Sequence, residues 1–335
     1  MGTARARSVP YVNGTGGART EVRFIRGASV SSRARLAYLA VAVTILSWAS
    51  AFPAIRLALR ELQPVPLATA RFAVAALLVL AWLAWRRPPR PALPDLLRFA
   101  LCGLVGIAAY NILLNTGQRS VAAGAASFIV NTAPILTALL ARLMLGERFG
   151  TRGWAGTLVS FAGIALIASA QPGGLAFGAG ASLVLGSALC MACYVVLQKP
   201  LVARHGALAC AAWTLLAGAL WLSPWLLEAA GDLPDAGDVT IATVIGLGVL
   251  PAAIGYATWT FALGHFGAAR ATNFLYLVPP VATAIALPLL GEAPGPQTLL
   301  GGAVAIAGVV LVNTRGRRSP RVSASAEPAA PRQPS

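Results

Sequence analysis

The side chains of this 335-residue chain that could touch a solute lie inside apolar runs. One run carries Ser127, Asn131 and Pro134 at i, i+4 and i+7, a single face if the run is helical. A later run repeats that spacing with Thr272, Tyr276 and Pro279, and Thr283 extends the stripe. Further polar faces come from Thr44, Ser47 and Trp48, from Asn111, Asn115 and Gln118, from Tyr194 and Gln198, and from Tyr256, Trp259 and Thr260. Hydroxyls, amides and aromatic rings at depth can hold a small molecule, and they also serve as hydrogen-bonding glue between helices. The chemistry on offer is binding and passage. Paired aspartates at depth, an HExxH or a Ser/His couple would be needed for catalysis, and none occurs, so no catalytic residue, metal or cofactor is expected.

Other residues carry narrower expectations. Pro134 and Pro279 each remove a backbone donor within an apolar run and are read as kinks that could gate a path. Glu147 and Glu292 follow matching runs ending in Leu-Gly-Glu, and are read as turn-fixing carboxylates beside the positive end of the next helix. Arg71 can meet a solute carboxylate, snorkel to an interface or hold a helix end. His205 and His265 fall at span ends, which suits interfacial loop placement. Cys190 and Cys193 have CxxC spacing but no second pair, so they and the intraspan Cys102 and Cys210 read as small packing residues.

The elements that position these residues follow from composition. The chain is 57% hydrophobic and 11% charged, with a mean hydropathy of +0.73. That balance leaves too little polar surface for a soluble domain and predicts a polytopic α-helical protein whose partner is the lipid bilayer. Candidate helices lie near 36–58, 65–85, 96–116, 120–145, 152–170, 177–197, 207–227, 239–263, 268–290 and 297–313. With a cytoplasmic N-terminus, 22 of the 26 lysines and arginines fall on the cytoplasmic side or in the tails; Arg56, Arg60, Arg71 and Arg119 do not. This asymmetry obeys the positive-inside rule and puts both termini in the cytoplasm. It also explains the net charge of +16 without nucleic acid, because the basic residues sit in short loops rather than on one folded face. Residues 1–34 read as a disordered basic tail, a misplaced start or an Arg-rich transit segment, and residues 315–335 as a disordered cytoplasmic tail.

An offset of 145 aligns the two halves, residues 35–170 and 171–314. Pro134 meets Pro279, Leu145-Gly146-Glu147 meets Leu290-Gly291-Glu292, and Gly156 and Gly163 meet Gly301 and Gly308. Five spans per half make the second copy enter the membrane from the opposite side, the inverted repeat of many transporters. The small residues allow close helix approach, within one chain or across a homodimer. The order LSWASAFPAIRLAL, ATARFAVAALLVL and the two P…LGE endings resemble the EamA-like branch of the drug/metabolite transporter superfamily. The resemblance implies ten helices in two inverted five-helix repeats, a central path lined mainly by the first, third, fourth, sixth, eighth and ninth, and export of small metabolites or drugs.

The expectation is therefore an exporter of neutral or zwitterionic solutes, such as amino acids, across a bacterial inner membrane by alternating access. Spans without a central Asp or Glu argue against proton or cation coupling through a membrane carboxylate. The alternatives are broad-specificity drug efflux and a non-transporting structural or sensory membrane protein.

Overall fold

A computed structural model of the chain describes residues 32–145, 151–170, 178–266 and 274–313. Among them all regular structure is helical. Apolar runs have one way of satisfying their backbone groups without water, which is to fold back on themselves as helices. Six described helical segments are long and apolar enough to cross a bilayer: Ala34–Ala58, Pro64–Arg86, Leu93–Gly117, Ala179–His205, Ala207–Asp232 and Asp238–Trp259. Shorter apolar helices occupy Ala123–Thr137, Leu275–Leu290 and Pro296–Leu311. Leu39, Leu77, Leu80, Leu97, Leu158, Leu220 and Leu227 point outward, giving an apolar exterior. Water disfavours such a surface and lipid accepts it.

The first half comprises α1 (Ser32–Ala58), α2 (Pro64–Arg86), α3 (Leu93–Gly103), a π-helical stretch (Leu104–Ala109), α4 (Tyr110–Gly117), α5 (Ala123–Val130), α6 (Ala133–Leu145) and α7 (Thr151–Ser169). The second comprises α8 (Ala179–His205), α9 (Ala207–Leu222), α10 (Leu226–Asp232), α11 (Asp238–Leu247), a second π stretch (Gly248–Ile254), α12 (Gly255–Phe266), α13 (Val278–Leu290) and α14 (Pro296–Asn313). The 145-residue offset recurs in the element bounds themselves. α11 begins at 238 against 93 for α3, α13 spans 278–290 against 133–145 for α6, and α14 begins at 296 against 151 for α7. The two π stretches, 104–109 and 248–254, fall at matching places.

Packing crosses between the halves. α1 lies against α12 and α13, while α8 lies against α4, α5 and α6, so the first helix of each half docks into the other half. α7 and α14 form the most extensive helix pair. A Cβ at Gly163 would stand 2.6 Å from the Gly301 carbonyl, and one at Gly308 2.6 Å from the Gly156 carbonyl. The aligned glycines thus bring two backbones together within one chain, resolving the choice between intrachain and homodimer use of these residues.

Several expectations need correction. The run 120–145 is interrupted at Asn131–Thr132, so Ser127 and Pro134 do not lie along one continuous helix. Pro134 and Pro279 are not mid-helix kinks: each is the second residue of a new helix, α6 and α13. Proline is tolerated there because first-turn donors have no intrahelical acceptor. α8 runs through Pro200 to His205, eight residues beyond the expected end at 197. The span 207–232 narrows to a 3-10 turn at Ser223–Trp225, where Pro224 withholds a backbone donor, before α10. All four cysteines are free thiols, Cys102 and Cys210 within one buried apolar cluster.

Candidate functional site

The two π stretches converge on one region. A π turn widens the helix and takes a carbonyl out of the i→i+4 ladder, and such turns concentrate at functional sites. In the first half the Asn111 amide donates to the Ile107 carbonyl at 2.7 Å. In the second half the Trp48 indole donates to the Pro251 carbonyl at 3.1 Å. Pro251 lies inside its π stretch and offers no N–H, a local cause of the widened turn. Gly248 opens that stretch and lies against the Arg71 backbone, where a Cβ would come within 2.7 Å of the Arg71 carbonyl. Gly106 lies under the Tyr194 ring and Gly255 under the Trp48 indole, each too close for a Cβ.

Arg71 sits at this crossing. It is seven residues into α2, about 10 Å along the helix, and only 6% exposed. Burial overturns the snorkelling reading, which requires the guanidinium to reach water. Its Nη1 donates to the Asn111 Oδ1 at 3.2 Å, and the guanidinium carbon lies 5.0 Å from the centroid of the Phe72 ring. Nε has no partner among the described residues, and no described carboxylate pairs with this cation. Tyr110 and Tyr256 lie within electrostatic reach of it.

Aromatic rings form the neighbouring wall. Trp48 packs against Tyr256 at 5.7 Å and against Trp259 at 5.5 Å between ring centroids. The Thr44 and Thr258 hydroxyls meet at 2.8 Å beside them. The structure therefore brings together Trp48, Asn111, Tyr256 and Trp259 of the expected residues, with Tyr194 beneath the first π stretch. Asn115 is fully buried and donates to the Pro64 carbonyl at 2.9 Å, and buried Gln118 donates to the Phe52 carbonyl at 3.1 Å. Both bind neighbouring backbone. Ser127 is buried and turned onto its own helix, donating to the Gly124 carbonyl, while Ser47 is also buried. Asn131 and Tyr276 are half-buried at the breaks before α6 and α13, and Gln198 is half-buried on α8. Thr272 and Glu147 lie outside the described residues.

Polar groups close both ends of the bundle. At one end Glu292 bonds the Arg56 Nε at 2.8 Å and accepts from the Ala123 backbone N–H at 2.8 Å. Arg56 also donates to the Gln118 and Arg119 carbonyls. Glu292 thus neutralises α1 of the other half and caps α5, in place of the expected role at the start of α14. A cavity of about 330 Å³ beside it is lined by Arg56, Leu59, Arg60, Arg119 and Glu292. At the opposite end the buried Asp95 carboxylate binds Arg204 and accepts a hydrogen bond from the His205 Nε2–H at 2.8 Å. His205 is therefore a helix-end residue tied to α3, rather than a loop residue.

Three groups escaped sequence reasoning: the partnership of Arg71 with Asn111, the Asp95 cluster, and the Arg56–Glu292 pair. Periodicity aligns residues within a helix and is silent on which helices touch. One signal was available for Arg71, a lone arginine in an otherwise uncharged apolar stretch.

Relatives accord with this architecture. A "Probable terminal-alkyne amino-acid exporter" of Streptantibioticus cattleyicolor is 40% identical over 281 residues, covering 83% of this chain and 94% of that protein. An uncharacterized transporter of Bacillus subtilis is 33% identical over 78% of this chain and 86% of its own length. A "Probable amino-acid metabolite efflux pump" of Salmonella typhimurium is 26% identical over 85% of this chain and 98% of its own. A solved crystal structure superposes with a TM-score of 0.54 at 20% identity, covering 82% of this chain and 95% of the other, a likeness of fold. The EamA-like family is matched twice, over residues 35–169 and 178–314, the two halves that share the 145-residue offset. The chain belongs to the EamA-like transporter family.

Proposed function

We propose that this protein exports small amino-acid-like metabolites across a bacterial inner membrane, using ten membrane helices in two inverted repeats that rock around a central site. The observation that carries this reading is the meeting of the two halves at the site. The second half's π stretch rests on Arg71 and accepts a hydrogen bond from Trp48, both first-half residues. A motion between the halves therefore remodels the site, as alternating access requires. The names of the relatives point to amino acids as the solute class.

In this reading Trp48, Asn111, Tyr256 and Trp259 line the path at its centre. Asn131 and Tyr276 flank it at the helix breaks, with Ser47, Asn115, Ser127, Tyr194, Gln198 and Thr272 behind them. The positive-inside count puts the Arg56–Glu292 end outside the cell, so the ion pair closes the outer mouth in this conformation. Efflux of preloaded L-leucine, L-phenylalanine and L-propargylglycine from proteoliposomes tests the reading. Full-length protein should accelerate release of at least one solute over empty vesicles. Trp48→Ala should cut that rate at least several-fold with normal reconstitution. Release at the empty-vesicle rate for every solute, in both membrane orientations, would rule out export of this class.

A further inference from the structure

We propose that Arg71 is the carboxylate anchor of the transport site, so that the solute must carry a free carboxylate. This rests on the exporter reading and names the chemistry that the site selects.

The argument begins with an isolated buried cation. Arginine stays protonated under essentially all conditions in proteins, so Arg71 cannot shed its charge to suit an apolar position. An ionisable group within a membrane span persists where it has a partner or a role, and by default marks a functional site. Among the described residues the Arg71 guanidinium has no carboxylate partner; its Nη1 is held by the Asn111 Oδ1 and its buried Nε has no hydrogen-bond acceptor. The face of Phe72 supplies a cation–π contact, and Tyr110 and Tyr256 supply dipoles, but none of these neutralises the charge. A structural arginine of similar burial would be expected to hold an aspartate or glutamate.

The geometry of the fork sharpens this. Asn111 engages Nη1, while Nε is unpartnered. Nε–H and the Nη2–H beside it form the guanidinium edge that accepts a carboxylate through two parallel hydrogen bonds. Asn111 is itself fixed by its bond to the Ile107 carbonyl, so it holds the guanidinium by the opposite corner and leaves the Nε–H free. Gly248 lets the second half close directly onto the Arg71 backbone, which couples anchoring to the movement between halves. The Trp48, Tyr256 and Trp259 wall adjoins the anchor and offers apolar surface to the rest of the solute.

The test compares each amino acid with its own amide, which removes the carboxylate and little else. Proteoliposomes containing the full-length protein are loaded with L-phenylalanine, L-leucine or L-propargylglycine, or with the corresponding amide. The acid should move and the amide should fall by on the order of 10- to 100-fold in kcat/KM, the loss expected for a charge-assisted pair. Arg71→Lys keeps the charge but loses the planar fork, and should raise KM for the acid about tenfold with a smaller change in kcat. Asn111→Asp supplies an internal carboxylate. It should leave the protein folded, by detergent melting temperature, while depressing transport of the acid. Equal transport of acid and amide by the native protein overturns the anchor while leaving the exporter reading in place. So does an unchanged KM in Arg71→Lys. If native protein moves no acid and no amide, both readings fall together.

Discussion

Asn111 is the residue through which backbone geometry and charge are joined. Its amide donor satisfies the Ile107 carbonyl in the π stretch, and its amide oxygen accepts from Arg71. Removing the side chain takes one of two donors from the Ile107 carbonyl, which keeps the Tyr110 N–H, and leaves the buried cation without this acceptor. The loss at the charged group dominates, at about 1–3 kcal/mol. Asn111→Ala should therefore lower the melting temperature in detergent by several degrees, and Asn111→Gln should recover only part, because the extra methylene displaces the amide from both partners. Asn115→Ala loses the bond to the Pro64 carbonyl and touches no charge, so its melting shift should be the smaller of the two. A larger shift for Asn115→Ala would mean that Asn111 does not organise the crossing.

At the scale of elements, the helix pair α7 and α14 provides the sharpest test of packing. Gly163 sits against Gly301 and Ala305, and Gly308 against Gly156 and Ser160, so added side chains would meet backbone rather than yielding side-chain tips. Overpacking a close-packed interface costs about 1–3 kcal/mol, and backbone obstruction places these sites at the upper end. Gly163→Leu and Gly308→Leu should each cut the yield of monodisperse protein and lower its melting temperature, whereas Gly295→Ala, with no atom within reach of a Cβ, should behave as native. The glycine positions and their 145-residue register were legible in the sequence because repeated spacing survives in one dimension. The breaks at Asn131–Thr132 and Leu275–Leu277 were not, because the few polar residues there, Asn131, Thr132 and Tyr276, read equally well as one face of a continuous helix. Pro134 and Pro279 were visible as symmetric prolines; whether each bends a helix or begins one depends on the hydrogen-bond pattern of the preceding turn, which residue spacing does not report. The π stretches were equally hidden, since one extra residue per turn leaves hydropathy unchanged. In the site, Trp48, Asn111, Tyr256 and Trp259 could be named from polarity in apolar runs, while their convergence on Arg71 required knowing which helices cross.

At the scale of the whole molecule, the two ends of the bundle are tied by ion pairs of different construction, although the helices repeat. One end joins Arg56 of α1 to Glu292 before α14. The other joins Asp95 of α3 to Arg204 and His205 at the end of α8. The first helices of the two halves, 32–58 and 179–205, are offset by 147, which sets Ala203 opposite Arg56, and the arginine next to it, Arg204, binds Asp95. Two halves related by symmetry would otherwise have equal preference for opening inward and outward. A pair present on one side biases that balance by its differential energy in the two states. The side chains of Arg56 and Glu292 are 27% and 20% exposed, so screening limits the pair to about 1 kcal/mol, a several-fold change in population. Glu292→Gln loses the charge while retaining an oxygen for the Ala123 N–H, and should favour the state open at this end. The measurement is maleimide labelling of Leu59→Cys, at the neighbouring cavity, in a background free of the native cysteines. Labelling should rise several-fold in Glu292→Gln and in Arg56→Gln, and by no more in the double variant than in either single one, because the two act through one contact. Exchanging the charges as Arg56→Glu with Glu292→Arg should not return labelling to native, because the exchanged groups would face the Gln118 and Arg119 carbonyls and the Ala123 N–H with the wrong polarity. Additive effects of the single variants would show that the two residues act separately and that the asymmetry between the ends lies elsewhere.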